Sequence, residues 1–444
     1  MPSSTSRSAN SVALQSRRLL AYLGAAMVAA SHPVHEVEDE VRRVARFLGY
    51  PDCQVGALPT GINVALETGD PATYERSGAG LTLDQITELN SVRRQIMSGR
   101  MDEHSAITAL TTLRSRKPRF GRWATILGGT VMSLGVAGIM QPGVANMLYV
   151  TIASFVVMLL LDFSSGRAMF RTLIPTVAAF TVALGAFALS ANHLLIGPMR
   201  TILPGVVILL PGGMLVTGMA ELAANHAVAG ASRLTNGIIQ LMLLAFGISV
   251  AAWVMQVPIS EFANFRVSAF SSALPIIGLA LMCLGIMVMD SVEWRLWPWV
   301  AGVLVATFLA QLLGQELGGS GNVSSFLGAF VASFCSSLAS ILQPNLPRMV
   351  AFQPSFWLIV PGALGLFSTT QLGAEPSLVL TTVISIITVL ASIAMGLLFG
   401  SAAFRAVQIA LEAERRRAAR ARRRQQINRE RKRQAARPDR SAPK

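Results

Sequence analysis

Two dipeptides, Pro211-Gly212 and Pro361-Gly362, each interrupt an apolar run near its middle. Proline has no amide proton and clashes with the carbonyl four residues back, Val207 for Pro211 and Trp357 for Pro361. Gly212, Gly213 and Gly362 allow unwound backbone and close approach. Freed carbonyls and half-helix ends then supply partial charges where a full side-chain charge is expensive. A zwitterionic amino acid suits such a place, its carboxylate meeting amide donors and its ammonium meeting carbonyls or an acid. Thr217, Ser368 and Thr369 stand where they could hydrogen-bond a side-chain hydroxyl. Either break alone reads better as a kinked packing helix. The pair at equivalent positions brings a site level with that reading.

Titratable groups come next. Glu221, Asn225, His226 and Arg233 gather at one end of the first interrupted run. On one helix Glu221 and Asn225 share a face, with Arg233 two turns beyond Asn225. They form either a gate or proton relay, or an ordinary interfacial cluster, and both readings stand. Asp162 and Asp290 end other apolar runs. Intramembrane carboxylates are coupling or gating candidates by default, but a position near the interface favours simple solvation here. His32, His35 and Glu36 hint at metal, yet Pro33 disturbs the spacing, and an N-cap at His32 with a first-turn proline reads better. Gly318-Gly319-Ser320-Gly321 spells a serine-protease-like element, but no histidine follows His226 to activate Ser320; a loop is expected. Cys53, Cys283 and Cys335 lack metal or disulfide spacing. No enzyme, cofactor or metal centre is expected.

The elements that must position these residues are membrane helices. Ten apolar segments are expected at 123–141, 144–163, 172–191, 201–219, 234–254, 269–290, 294–313, 321–342, 354–372 and 377–400. Runs of ~20 apolar residues cross a hydrocarbon core as helices, and a barrel is excluded because apolar and polar residues do not alternate. Between 123 and 402 seven arginines balance seven acids, so the net +14 of the chain comes from its two ends. An N-terminus in the cytoplasm puts Arg167, Arg171, Arg233, Arg295 and Arg348 in inner loops and only Arg200 and Arg266 outside. Both ends are then cytoplasmic, and the plasma (inner) membrane is the expected location. Residues 19–30, LLAYLGAAMVAA, resemble a signal peptide after Arg17 and Arg18. A helix of a folded domain is preferred, because cleavage would break the charge asymmetry.

Residues 1–10 are expected to be disordered, and 11–122 to form a small cytosolic α/β domain. Val34, Val37, Val41, Val44, Ala45 and Leu48 keep helical spacing; residues 53–67 read as strands broken at Pro59, and 82–114 as two helices parted at Ser98-Gly99. Arg114, Arg116, Lys117, Arg119 and Arg122 make a basic collar, worth ~1 kcal/mol each against anionic lipid. The arginine-rich tail, 403–444, continues helically at first and lacks the interleaved aromatics of nucleic-acid binding, so it reads as an anionic-lipid anchor. Oligomeric state is left open. The ten segments divide into fives, 123–254 and 269–402. Because five is odd, two such repeats insert in opposite senses, and paired interrupted helices then point to a transporter's midplane site. The fold class is thus an all-α polytopic membrane protein of about ten helices in two inverted repeats, with the α/β domain at the N-terminus.

Three stretches resemble the threonine/serine exporter family in its long form, with both halves in one chain: HPVHEVEDEVRRVARFLGY (32–50) followed by Pro59-Thr60, the run from Leu83 through Met97, Gly99 and Arg100 to Pro118, and LLPGGMLVTGMAELAANHAVAGASRL (209–234). The family's pattern falls on Pro211, Gly212, Thr217, Gly218, Glu221, Leu222, Gly230 and Arg233. The chain departs with Val216-Thr217-Gly218 where Thr-Asn-Gly is usual; the later Thr235-Asn236-Gly237 reads as the cap of the fifth segment. The resemblance implies proton-coupled export of threonine and serine through a lipid bilayer. One charge moving down ~100 mV yields ~2.3 kcal/mol, enough for a roughly fortyfold gradient of a neutral solute. The rivals are a dicarboxylate exporter and a membrane-anchored sensor whose cytosolic domain is the active part.

Overall fold

The computed structural model describes residues 4–140, 143–164, 168–258, 274–318, 321–359 and 384–410. Helix α1 (Ser4–Ala29) opens the chain. Residues 4–10, expected to be disordered, therefore continue a helix. The LLAYLGAAMVAA stretch is the inner end of that helix, with Leu19, Leu20 and Leu23 fully buried. Helix α2 (Val34–Phe47) buries Val34, Val37, Val41, Val44 and Ala45, the stripe its spacing dictates.

Strands β1 (Gln54–Leu58), β2 (Gly61–Ala65) and β3 (Thr73–Arg76) make an antiparallel sheet in that order. Leu58 pairs with Gly61, leaving Pro59 and Thr60 as the turn. Ile62 and Val64 point to the core beneath α1, while Asn63 faces out. Helix α3 (Leu83–Met97) is started by the Thr82 N–H donating to Gln85 Oε1 at 2.9 Å, and α4 (Glu103–Ser115) by the Ser105 N–H donating to Asp102 Oδ2 at 3.2 Å.

The body of the chain is apolar helix. Helices α5 (Arg122–Met140), α6 (Val144–Ser164), α7 (Ala168–Ala191), α10 (Ala227–Val254), α12 (Trp297–Gly318), α13 (Gly321–Leu342) and α16 (Ile384–Ala410) are each long and apolar enough to cross a membrane. Between α7 and α10, α8 (Met199–Val206) and α9 (Gly212–Ala223) form a pair bent by 68°. The shorter apolar helix α11 (Leu274–Met289) precedes α12, and the short α14 (Arg348–Phe352) and α15 (Phe356–Ile359) follow α13. Leu148, Phe246, Trp253 and Ile276 stand exposed around the outside, an apolar coat suited to lipid. The chain is thus a mostly helical, multi-pass membrane protein. The fifth segment begins seven residues earlier than expected, at Ala227, so Thr235-Asn236-Gly237 lies inside α10 and does not cap it.

Small residues set the helix contacts, as expected where lipid removes the hydrophobic drive. A Cβ on Gly135 of α5 would lie 2.6 Å from the Gly278 carbonyl of α11, and one on Gly285 of α11 would lie 2.6 Å from the Gly128 carbonyl. The two helices therefore run antiparallel, with their backbones touching. A Cβ on Gly247 of α10 would lie 3.0 Å from the Phe180 amide of α7, and one on Gly396 of α16 would lie 3.1 Å from the Phe330 amide of α13.

Candidate functional site

The bend between α8 and α9 begins at Pro211. A single 3-10 turn (Val207–Leu209) ends the first half, and Leu210 is extended at φ −69°, ψ 130°. Pro211 sits at φ −80°, ψ 42°, and the Gly212 N–H donates across it to the Leu210 carbonyl at 2.9 Å, a γ-turn-like closure. The Val207 carbonyl, denied a partner four residues on by proline, accepts from the Leu210 N–H at 3.0 Å instead. The Leu209 carbonyl is met by Gln240 Nε2 of α10 at 2.7 Å. The break is a built feature, in which the Val207, Leu209 and Leu210 carbonyls each have a donor.

The short helix α15, which leads toward the second Pro-Gly, approaches the first break. A Cβ on Gly213, in the first turn of α9, would sit 3.4 Å from the Phe356 ring of α15. The Leu358 carbonyl, three residues before Pro361, accepts from Gln311 Nε2 of α12 at 2.9 Å. Pro361, Gly362, Ser368 and Thr369, together with Gly319 and Ser320, lie outside the described residues. Thr217 is buried one turn beyond Gly213.

Helix α9 runs past the expected end of the fourth segment at 219 but stops at Ala223, short of Asn225. Ala224 is its C-cap, and Asn225 adopts φ 64°, a left-handed conformation that asparagine tolerates, turning the chain directly into α10. Glu221 and Asn225 therefore do not share a helix face. The hairpin closes tightly because Gly218 and Gly230 leave room: a Cβ on Gly230 would lie 2.7 Å from the Gly218 carbonyl. That closure folds Arg233 back onto Glu221, its Nε 3.1 Å from Oε2 as an ion pair off the hydrogen-bonding direction. Glu221 is fully buried and Arg233 nearly so.

The third partner of Glu221 comes from the N-terminal domain. The Val34 N–H, first of α2, donates to Glu221 Oε1 at 3.0 Å. Pro33 is the N-cap residue of α2 and offers no side-chain acceptor; His32 does not occupy the cap. The membrane-body carboxylate is thus the cap, set at the positive end of a 14-residue helix. Around it, the His35 and His226 rings lie 5.6 Å apart and Glu36 pairs with Arg348 of α14. Burial pushes the His32 and His35 imidazoles below their ordinary value, against the opposing pull of Glu36. Burial raises Glu36, but Arg348 and the two histidines outweigh it and hold the carboxyl below the usual range. The docked face continues where the Leu83 N–H donates to the Asp290 carbonyl at 3.0 Å and the Phe120 N–H to Ser291 Oγ at 3.4 Å.

Glu221, His226 and Arg233 thus come together, with Asn225 as their turn. Asp162 stands apart and, rather than being simply solvated, pairs with Arg122 of the collar. Asp290 touches the domain through its backbone. Other collar arginines are engaged too: Arg114 with Glu75 at 3.0 Å, Arg116 with Asp84 at 2.9 Å and Glu88 at 2.5 Å. The sequence reading missed Gln240 and Gln311, whose amide side chains inside apolar helices were a signal in themselves. It also missed Asn146, which donates to Thr201 Oγ1 at 2.6 Å, and the buried Arg200, which donates to the Met140 carbonyl at 2.6 Å at the far end of α8.

Known proteins align with this architecture. The sequence model of a family described as "Putative threonine/serine exporter" matches residues 18–255, from α1 through α10. The pheromone-regulated membrane protein 10 of Debaryomyces hansenii is 23% identical over 257 residues, covering 54% of this chain and 24% of that protein. The protein of the same name from Eremothecium gossypii is 23% identical over 251 residues, 54% of this chain and 33% of its own length. The chain therefore spans about a quarter to a third of these curated relatives. No solved structure matches.

Proposed function

The chain belongs to the threonine/serine exporter family, and from that premise we propose that it is a proton-coupled secondary exporter of threonine and serine, working by alternating access around the two interrupted segments. The observation that carries this reading is the Pro211 break meeting α15 at Gly213 and Phe356, just before the second Pro-Gly. Unwound backbone at the Pro211 break, facing the segment that carries the second Pro-Gly, would offer a small zwitterion both amide donors and carbonyl acceptors. In this reading Pro211, Gly212, Gly213, Thr217, Pro361, Gly362, Ser368 and Thr369 line the substrate site. Glu221, His226 and Arg233 form the gate beneath it, with the Asn225 turn.

Two oppositely inserted halves, 123–254 and 269–402, are part of the proposal. Gly128, Met132 and Gly135 of α5 recur 150 positions on as Gly278, Met282 and Gly285 of α11, and Pro204 and Pro211 recur as Pro354 and Pro361. The contacts repeat with the letters. Gly247 meets Phe180 as Gly396 meets Phe330, and the two phenylalanines are again 150 positions apart. The reading puts residues 11–122 and the 403–444 tail in the cytoplasm and the body in the plasma membrane, with the N-terminal domain seated on the inner gate.

The test is flux. Proteoliposomes loaded with labelled threonine, serine or succinate and given a pH gradient should release the hydroxy amino acids faster than protein-free vesicles. Release of succinate alone would make the chain a dicarboxylate exporter. No flux of any of the three would favour a sensor. The names of the fungal relatives speak of regulation, not of a solute, so the choice of substrate rests on the family.

A further inference from the structure

Between the N-terminal domain and the adjoining ends of α13, α14 and α16 lies a cavity of about 470 Å³, a volume typical of small-molecule sites. Among the described residues five guanidinium groups line it against three carboxylates. Glu40 serves Arg43, at 2.6 Å, and Arg93 together, and Glu36 takes Arg348. Asp39 is mostly exposed and leans toward Arg42 at 3.6 Å. Arg94 is held only by neutral acceptors, the Pro344 carbonyl at 2.6 Å and Asn345 Oδ1 at 3.0 Å. Among the described residues Arg94 and Arg405 have no carboxylate partner, and Arg348 Nε is buried without an acceptor. Positive charge is therefore in surplus in a recess with reduced access to water, where opposite charge is attracted more strongly than at an open surface. Among the described residues no Phe, Tyr or Trp lines the cavity, so these offer little for stacking a nucleobase.

We propose that this cavity binds a small ligand bearing two or more anionic oxygens, as carboxylate or phosphate, and that the ligand clamps the N-terminal domain to the membrane body. Arg93 and Arg94 belong to the domain and Arg348 and Arg405 to the body, so one anion between them is held from both sides by forked donors. Binding only the docked arrangement stabilises it by mass action. The same oxygens can come from a dissolved metabolite or from the head group of an anionic lipid, since Arg405 sits near the end of a helix long enough to span.

The test uses the full-length protein in phosphatidylcholine nanodiscs, titrated at constant ionic strength with citrate, succinate or inorganic phosphate, with mannitol at matched concentration as the uncharged control. A parallel set contains phosphatidylglycerol and no added anion. Thermal stability and the rate of proteolysis between domain and body are the readouts. Saturable stabilisation by a dissolved anion identifies a metabolite site, and stabilisation only by phosphatidylglycerol identifies a head-group site. In either case R94Q/R405Q should weaken the apparent affinity by about tenfold, the effect of ~1.4 kcal/mol, while Asp39→Asn, which removes a negative charge from the same wall, should tighten it. A purely structural loss would not produce that opposite sign. The proposal fails if neither source stabilises the protein, if mannitol does so equally, or if R94Q/R405Q responds as the native chain does.

Discussion

The backbone amide of Val34 donates to the carboxylate of Glu221 at 3.0 Å across 187 positions of sequence, so a helix of the N-terminal domain is capped by the membrane body. Arg233 holds the other oxygen of the same carboxylate. Removing one member of a buried charge pair is costly because the other is left uncompensated. Glu221→Ala should destabilise the protein by about 3–5 kcal/mol, and Glu221→Ala/Arg233→Met should recover most of that loss. Denaturation of the four proteins of this cycle, in lipid, measures the coupling. A double variant no more stable than the single would refute it.

The break at Pro211 should be indispensable to transport and dispensable to insertion. Pro211→Ala or Gly212→Leu is expected to abolish threonine efflux while leaving membrane insertion intact. Efflux from proteoliposomes at matched protein content is the check, and native rates in either variant would remove the site from consideration.

Gln240 should matter for the same reason without touching the break itself. Gln240→Leu leaves the Leu209 carbonyl unpaired, at a cost of about 1–3 kcal/mol. Reduced thermal stability with a slowed efflux is expected, and Gln240→Glu, which removes the donor, should not rescue it. Stability equal to the native chain's would show that the amide holds nothing in place.

Docking of the N-terminal domain should weaken in acid. His32 and His35 are held below the ordinary imidazole value, so the docked form favours them neutral. Stability is then full above the ordinary value and is lost as pH falls below it, until the depressed values are passed. Glu36 acts in the same direction, because a carboxyl held below its usual range contributes stability that vanishes as pH falls through its folded value. His35 faces His226, Glu36, Asp39 and Arg348, and His32 faces Glu36, Arg348 and Arg93. Proteolytic release of the domain should quicken from neutral to mildly acidic pH, and His32→Gln/His35→Gln should flatten the profile. A profile that is already flat in the native protein would contradict the argument.

The α5–α11 contact leaves no space for a side chain. Gly135→Ala or Gly285→Ala places a methyl where a carbonyl oxygen already lies 2.6 Å away, so each should cost about 1–3 kcal/mol or more through overpacking. The midpoint of thermal unfolding reads this directly, and an unchanged midpoint would mean the helices are not in contact.

Local chemistry made much of this legible in the sequence. The valine stripe of α2 and the proline at 211 each act through their own neighbours, and both appear as read. The turn at Asn225 was not legible. Nothing in AANHAVAG supplies a glycine stop or a proline where α9 ends, and its left-handed residue is set by the closing of Gly218 on Gly230. The cap of α2 was hidden for a similar reason: its acceptor lies far away in sequence, while local pattern pointed to His32. Strand β3, with the sequence TYER and little burial, carries no alternation to betray it. Gln240 and Gln311 were visible as polar residues, but their partner carbonyls depend on how α10 and α12 lie against the interrupted segments.

Helices α5 and α11 touch backbone to backbone at two places, Gly135 over Gly278 and Gly285 over Gly128. Surfaces that close can neither approach further nor ratchet past each other without a collision at every turn. If the chain exports by alternating access as proposed, that seam is its fixed axle, and the parts that expose a bound solute first to one face and then to the other swing around it.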